Sequence, residues 1–440
     1  MRILVIPHDM QLGGSSINAL DLARTVRERG HDVWVMARPG PLRDRLPAFG
    51  LPLVEAPAEM RVRPSPAAVR TVRAAVRRLG IDVVHAYEYW PTLEAYLGAG
   101  RPGSRGAGGA ATLGTIMSMG SLPPYIPPVP LTLGYGDLYD EVRAVRRHAT
   151  LLEPPVDTAD DRPDAPDLGL PEFRARFDLP AGPPTVAIVS RLARNMKQES
   201  IERTIDAVRA LDPHVPDIRA LVVGGGSAED DLRRRADKVN ADLGRRAVVM
   251  TGPLDDPRAA YACADVVCGM GSSILRGMAF AVACVVVGER GFTEPVRPET
   301  VPVFDRFGFY GVGEGLDPAA DPLPGLLREL FDDTERRREL AAWSRALVVE
   351  RVGLERQAEL LVTCYESAIA ARRERGALPR TTDALGTLGR TVGFKAAERV
   401  RAVRARSARG RGPQVQGSSN RDSPVQTQSA GARGKGPAGA

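Results

Sequence analysis

Residues 264–292 read ADVVCGMGSSILRGMAFAVACVVVGERGF. The run Asp265 to Cys268 is short and β-branched, Gly269 to Ser273 lacks bulk, Ile274 to Ala281 has helical spacing, and Cys284 to Val287 is β-branched again. Strand, glycine-rich loop, helix and strand make a βαβ unit. A helix opening on Gly271, Ser272 and Ser273 leaves its first backbone N–H groups unpaired, and these groups with the helix dipole favour an anion such as phosphate. The same glycines also serve an ordinary tight turn, so the surrounding chain has to decide.

Toward the N-terminus the pattern repeats. Thr185 to Val189 reads as a strand, Ser190 to Gln198 as a loop, and Ile201, Ile205, Val208 and Leu211 mark one face of a helix. Strand Ala220 to Val223, turn Gly224-Gly225-Gly226, helix Ala228 to Asn240 and strand Ala247 to Met250 follow. The first half opens the same way: strand Arg2 to Ile6, glycine loop Gln11 to Ser16 with a serine cap, a helix carrying Ala19, Leu22, Ala23 and Val26, and strand His31 to Met36. Strands are expected at Leu53 to Glu55, Asp82 to His85 and Thr112 to Met117, with a helix Pro66 to Leu79 capped by Ser65. Such alternation predicts an α/β protein with a doubly wound parallel sheet in each half.

Between the halves, Leu151 to Gly182 turns rich in proline and aspartate (EPPVDTADDRPDAPDLGLP) and reads as a linker. Helices near Pro324 to Phe331, Thr334 to Val349 and Leu354 to Arg373 close the folded part. The expected organisation is a first Rossmann-like domain at 1–165, a second at 166–350, a terminal helix at 351–378 crossing back to the first, and a basic tail at 379–440.

With 440 residues, 43% of them apolar, the chain can build two cores of ordinary size. Its net charge of +6 is concentrated at the end: residues 380–440 hold 12 Lys and Arg against 3 Asp and Glu. The body is therefore near neutral and lacks the footprint of a nucleic-acid-binding protein. The tail is poor in large apolar residues and is expected to be disordered. Phe394, Val400 and Val403 within its Arg-rich run suit a weak amphipathic helix on an anionic membrane surface, the alternative being an inert tail. The four cysteines Cys263, Cys268, Cys284 and Cys364 lack CxxC spacing, which excludes a zinc ribbon or disulfide framework. With no secretory signal and no apolar window of membrane-spanning length, the expected location is cytoplasmic, peripheral to the inner face of the membrane if the tail engages it.

Four stretches, in this order and spacing, resemble the GT-B fold glycosyltransferases and within them the large retaining family 4: GGSSINALDLARTVRERGHDV at 13–33, DVVHAYE at 82–88, VSRLARNMKQESIERTIDAV at 189–208, and the segment quoted first. The resemblance covers roughly residues 1–375. It implies two Rossmann-like domains facing a cleft, and a nucleoside-diphosphate sugar as co-substrate with no further cofactor. Arg191 and Lys197 then reach the phosphates, and Gly224, Gly225, Gly226, Gly252, Gly271, Ser272, Ser273, Ile274 and Leu275 surround the donor. Gly13 and Gly14 lie against the donor phosphate and the acceptor side. The chemistry agrees: negative charge develops on the departing diphosphate, and fixed cations and helix N-termini stabilise it. No Asp-x-Asp occurs to hold a divalent ion, so transfer without metal is the expectation.

His85, at the end of a strand aimed into the cleft, joins the candidate catalytic residues, with a structural histidine as the other reading. Tyr87 and Glu88 beside it are candidates for an acceptor hydroxyl. Members of the family typically carry two glutamates eight positions apart around the opening loop; Cys268 and Arg276 occupy those positions here. The usual Gly-x-Pro turn is Ala281-Val282-Ala283, and no histidine follows the strand ending at Met117. Arg276 is either a structural cation or a third positive group for the diphosphate. Two function classes follow: a glycosyltransferase acting on a small or lipid-linked acceptor, or an inactive relative that binds nucleotide or a partner. A sugar-nucleotide epimerase lacks paired acids, and neither G-x-S-x-G nor G-K-[ST] is present.

Overall fold

The computed structural model describes residues 1–57, 62–100, 109–315, 317, 320–375 and 378–409. Residues 1–390 form one compact unit and 391–440 a second. The first unit holds two sheets. One contains β1 (Arg2–Ile6), β2 (Asp32–Ala37), β3 (Leu53–Glu55), β4 (Val83–Tyr87), β5 (Ala111–Ile116), β6 (Leu131–Leu133) and β7 (Ala149–Leu151). They lie in the order β3-β2-β1-β4-β5-β6-β7, all parallel. The other contains β8 (Thr185–Val189), β9 (Arg219–Val223), β10 (Val248–Gly252), β11 (Val266–Gly269), β12 (Ala283–Val287) and an antiparallel edge strand β13 (Thr293–Pro295), in the order β10-β9-β8-β11-β12-β13. The strand order reverses between β1 and β4 in one sheet and between β8 and β11 in the other. A reversal of this kind opens a crevice at the carboxyl ends of the two strands.

Helices α1 (Gly14–Glu28), α2 (Pro66–Leu79), α3 (Tyr89–Gly98) and α4 (Gly136–Arg143) serve the first sheet. Helices α5 (Leu170–Phe177), α6 (Gln198–Leu211), α7 (Glu229–Leu243), α8 (Arg258–Ala262), α9 (Ser272–Ala279), α10 (Val301–Phe307), α11 (Leu323–Asp332) and α12 (Thr334–Val352) serve the second. Local chemistry sets their ends. The Ser65 hydroxyl accepts from the Ala68 N–H at 3.3 Å, Pro66 takes the first helical position of α2, and Gly80 stops it in the left-handed conformation. A Cβ on Gly277 would lie 2.8 Å from the Cys284 sulfur, so only glycine lets α9 rest directly on β11 and β12.

Helix α13 (Leu354–Arg375) returns to the first sheet, where Leu354, Ala358, Leu361 and Tyr365 share a core with Ile3, Val5, Val83 and Tyr87. The Tyr365 hydroxyl is 2.8 Å from His85 Nδ1, and Thr115 Oγ1 is 2.6 Å from His85 Nε2. This polar pin holds the returning helix to the centre of the sheet.

The structure departs from the sequence reading in several places. The expected serine cap of α1 is Gly13 instead, and the Ser15 and Ser16 hydroxyls turn to carboxylates. The stretch read as an irregular linker contains α5, whose Phe173 and Phe177 rings lie tilted at 58° with centroids 5.0 Å apart and pack into the second core. Helix α14 (Leu378–Arg409) occupies the first part of the stretch read as a disordered tail, and the compact unit runs through Arg390. The side chains of Val400 and Val403, and residues 410–440, lie outside the described residues. Among the described residues no helix is long and apolar enough to cross a membrane.

Tyr365→Phe removes one partner of a fully buried imidazole. It is expected to cost about 1–3 kcal/mol, read as a lower denaturant midpoint at unchanged slope.

Candidate active site

The two crevices meet. Gly14, at the start of α1, lies against the start of α9: a Cβ on Gly14 would sit 3.3 Å from the Ser272 hydroxyl. Both helices thus bring their N-terminal ends to one gap. Farther along, α4 and α10 close the same two halves. A Cβ on Gly136 would meet the Asp305 carbonyl at 2.4 Å, and Arg306 Nε pairs with Asp137 at 2.9 Å.

Arg191 and Lys197 lie on the loop after β8, beside the α9 loop at the second sheet's switch point. Burial, with help from the Arg191 guanidinium, pushes the Lys197 ammonium down to about 8, while Glu289 pulls the other way. Among the described residues no carboxylate lies within ion-pair distance of either cation. Several other arginines of this half are compensated: Arg203 by Asp321 at 2.7 Å, Arg258 by Asp167 at 2.8 Å, Arg351 by Glu153 at 2.7 Å. Two neighbouring cations with no ion-paired carboxylate among the described residues, on a loop beside a helix N-terminus, are a chemistry that suits an anion.

The glycine run 224–226 packs against the chain's own backbone. A Cβ on Gly224 would lie 1.8 Å from the Ser190 carbonyl oxygen and one on Gly226 2.6 Å from that of Leu192. The Leu192 N–H donates to the Gly225 carbonyl at 3.0 Å, and the Gly224 N–H donates to Gly252. These residues and Gly252 shape the loop that carries Arg191. Ile274 and Leu275 are also corrected: their side chains are core, and both N–H groups donate to the Gly271 carbonyl. Ser272 and Ser273 remain as the helix-end donors.

His85 is not in the cleft. It is 0% exposed, bonded on both ring nitrogens, and burial drives its pKa down to about 3. It is the structural histidine of the two readings. Tyr87 is likewise buried, its ring 4.5 Å from that of His85. Glu88 behaves otherwise. It sits just past β4 with φ of 68°, a conformation side chains rarely adopt. Its Oε1 accepts from the Met117 N–H at 3.0 Å and from the Ser15 hydroxyl at 3.4 Å, the second bond spanning the β1/β4 switch point. Its Oε2 is buried without a hydrogen-bond partner, although the residue is 4% exposed. A buried carboxylate oxygen in that state accepts a ligand hydroxyl or ammonium at little cost.

Arg276 is held by a carboxylate. Its Nε is 3.0 Å from Asp161 Oδ2 in the segment joining the two sheets. Burial pushes the Asp161 and Asp21 carboxyls up to about 6, with Arg276 opposing in both cases, and Arg24 pairs with Asp157 at 2.6 Å beside them. The charge of Arg276 is therefore compensated where α1, α9 and the connecting segment meet. Cys268 faces the core with its thiol raised to about 12 by burial, so that position offers no place for a cleft carboxylate.

Glu289 and Tyr310 were missed from the sequence. The Tyr310 hydroxyl donates to Glu289, which faces Lys197. Glu199 accepts from the Arg290 and Gly291 N–H groups at 2.8 and 2.7 Å and so ties this loop to α6. A carboxylate two residues beyond the valine run of β12 was the available signal.

Two facing Rossmann-like sheets with a phosphate-type site at the second define the GT-B architecture. Solved structures agree on the fold: a glycosyltransferase from Rickettsia africae matches with a TM-score of 0.64 at 14% identity, covering 84% of this chain and 98% of that one. HepE from Anabaena, solved with UDP and glucose, matches at 0.60 and 16% identity, over 83% and 100%. The family models for Glycosyltransferase Family 4 and Glycosyl transferases group 1 match residues 12–116 and 183–304. The chain belongs to the family 4, group 1 type of GT-B glycosyltransferases. Among curated proteins it is 31% identical over 199 residues to a GDP-mannose-dependent monoacylated alpha-(1-6)-phosphatidylinositol monomannoside mannosyltransferase of Corynebacterium glutamicum. That match spans 42% of this chain and 47% of the relative, about half its length.

Arg276→Glu places a carboxylate against Asp161 and near Asp21. It is expected to lower stability by about 3 kcal/mol or more, as breaking a largely buried pair does. The exchange Arg276→Asp with Asp161→Arg should recover part of the loss in a double-mutant cycle read by thermal melting.

Proposed function

We propose that this protein transfers a sugar from a nucleoside-diphosphate sugar to an acceptor hydroxyl, with retention and without a metal or other cofactor. The observation that carries this is the uncompensated pair Arg191 and Lys197 beside the α9 N-terminus. The diphosphate lies on these cations and on the Ser272 and Ser273 N–H groups. Glu88 orients the acceptor hydroxyl from the first sheet. The hydroxyl oxygen bonds to the anomeric carbon as the bond from that carbon to the phosphate oxygen breaks, its electron pair leaving with the diphosphate. With retention, attack and departure share one face, and the hydroxyl proton passes to a departing phosphate oxygen. Fixed positive charge at that oxygen lowers the barrier because it need not reorganise. Contact of the basic helix α14 with an anionic membrane surface would bring the enzyme to a lipid-linked acceptor.

The test is release of nucleoside diphosphate from UDP-, GDP- and dTDP-sugars, beginning with GDP-mannose, the donor of the Corynebacterium relative. No release and no nucleotide-induced melting shift with any donor would sink the reading. Arg276, standing where the family carries a glutamate, favours a second reading as a nucleotide-binding relative without turnover. Binding without release would select it.

Lys197→Ala should lower turnover about 10²–10³-fold, as loss of one fixed donor to a developing anion does. The depressed ammonium also sets a pH dependence. As pH rises through about 8 the charge on Lys197 is lost, so affinity for free nucleoside diphosphate should fall between pH 7.5 and 9.5, by about tenfold or more for one charge-assisted contact. Lys197→Arg should abolish the fall. Calorimetric titration across that range reads both.

A further inference from the structure

A cavity of about 350 Å³ lies between the first sheet's Met119–Ser121 segment and α4 on one side and residues 292–312 on the other. Its size is that of a small-molecule site. Tyr135, Phe292, Phe307 and Tyr310 supply aromatic walls. Two of these rings are fixed by their hydroxyls: Tyr135 bonds the Gly120 backbone, accepting at 2.9 Å, and Tyr310 donates to Glu289. Glu289, which holds the Tyr310 hydroxyl, also raises the Lys197 ammonium against the effect of burial, so one carboxylate links this wall to the cation pair electrostatically.

Its charge is the reverse of the donor side. The charged residues lining it are Asp137, paired with Arg306 at 2.9 Å, and Glu141; no Lys, Arg or His lines it. Tyr135 is surrounded by carboxylates: burial first, then Glu141, Asp137 and Glu88, raise its phenol. Arg306 already neutralises Asp137, so a phosphate group here would meet the Glu141 carboxylate, which has no ion pair among the described residues, whereas a hydroxyl or ammonium would satisfy it and a ring would stack on the aromatic walls.

We propose that the cavity takes the acceptor, and that the acceptor is a hydroxyl-bearing aromatic or alicyclic compound, uncharged or cationic, without a phosphate. The inference rests on the glycosyltransferase reading for its meaning but is tested by binding, which does not need turnover. The matched probes are 2,6-dihydroxynaphthalene and its monophosphate, titrated calorimetrically into the full chain saturated with the diphosphate that binds it best, or without nucleotide if none binds. The diol is expected to bind at least tenfold more tightly than the monophosphate. Glu141→Lys, a change at an exposed position, should shrink that ratio at least tenfold. Tyr135→Ala should weaken the diol several-fold, whereas Tyr135→Phe should largely retain it. Equal or tighter binding of the monophosphate, a ratio indifferent to Glu141→Lys, or no binding of the diol at millimolar concentration would each overturn the proposal. Nucleotide release from donor sugars, measured separately, reports on the glycosyltransferase reading alone.

Discussion

Two helix N-termini facing one gap repel each other. Each carries the equivalent of about half a positive charge, and at Gly14 and Ser272 the approach is close enough that one added methyl group would touch the opposite hydroxyl. Arg191 and Lys197 add to the same field without a carboxylate within ion-pair distance. The gap is therefore a place that suits an anion, although Glu88 and Asp9 already take the Ser15 and Ser16 hydroxyls at the start of α1. Much of the remaining architecture serves to hold this unfavourable juxtaposition. The contacts at Gly136 and Asp305, the Arg306–Asp137 pair, and Arg351 gripping Glu153 and Asp305 all oppose the opening that the like charges favour.

The cluster around Arg276 belongs to the same balance. Asp161 comes from the connecting segment, Asp21 from α1, and Arg276 from α9, so three parts that must move relative to one another in any opening share one partly desolvated charge group. In place of a side chain aimed at the ligand, α9 carries one aimed at the joint. At the position where the family typically carries a glutamate, this chain places an arginine whose partner lies in the segment that joins the two halves.

The alternation of strand and helix was legible because buried parallel strands are short β-branched runs and their helices carry apolar residues at helical spacing. The capped α2 could be placed to the residue, since Ser65, Pro66 and Gly80 act locally. Elements lacking such signals were not. Strands β6 and β7 are three residues each, and α5 hides among prolines and aspartates, where only Phe173 and Phe177 four apart betray it. In the site, the placement of Arg191 and Lys197 on the loop after β8 was legible from the strand and helix that flank them. His85 was not, because whether a strand-end histidine faces the cleft depends on a helix 280 residues later whose Tyr365 claims it. The glycine run 224–226 was read as a ligand contact, yet the close neighbour that demands glycine is the chain's own backbone at Ser190 and Leu192. Local sequence records that a side chain is forbidden, not what forbids it.

The return of α13 to the first sheet has a consequence for biosynthesis. The first sheet's last strand ends at Leu151, but the helix that covers one face of it begins at Leu354. At about 5–20 residues per second, a ribosome needs tens of seconds to make the intervening chain. During that interval α1 covers part of that face, but Val83, Tyr87 and His85 lack the cover that α13 supplies, while the second half, encoded in between, can complete its own core. The half that is synthesised first is thus the last to finish folding, and the nascent chain presents an apolar sheet face to whatever waits at the exit tunnel.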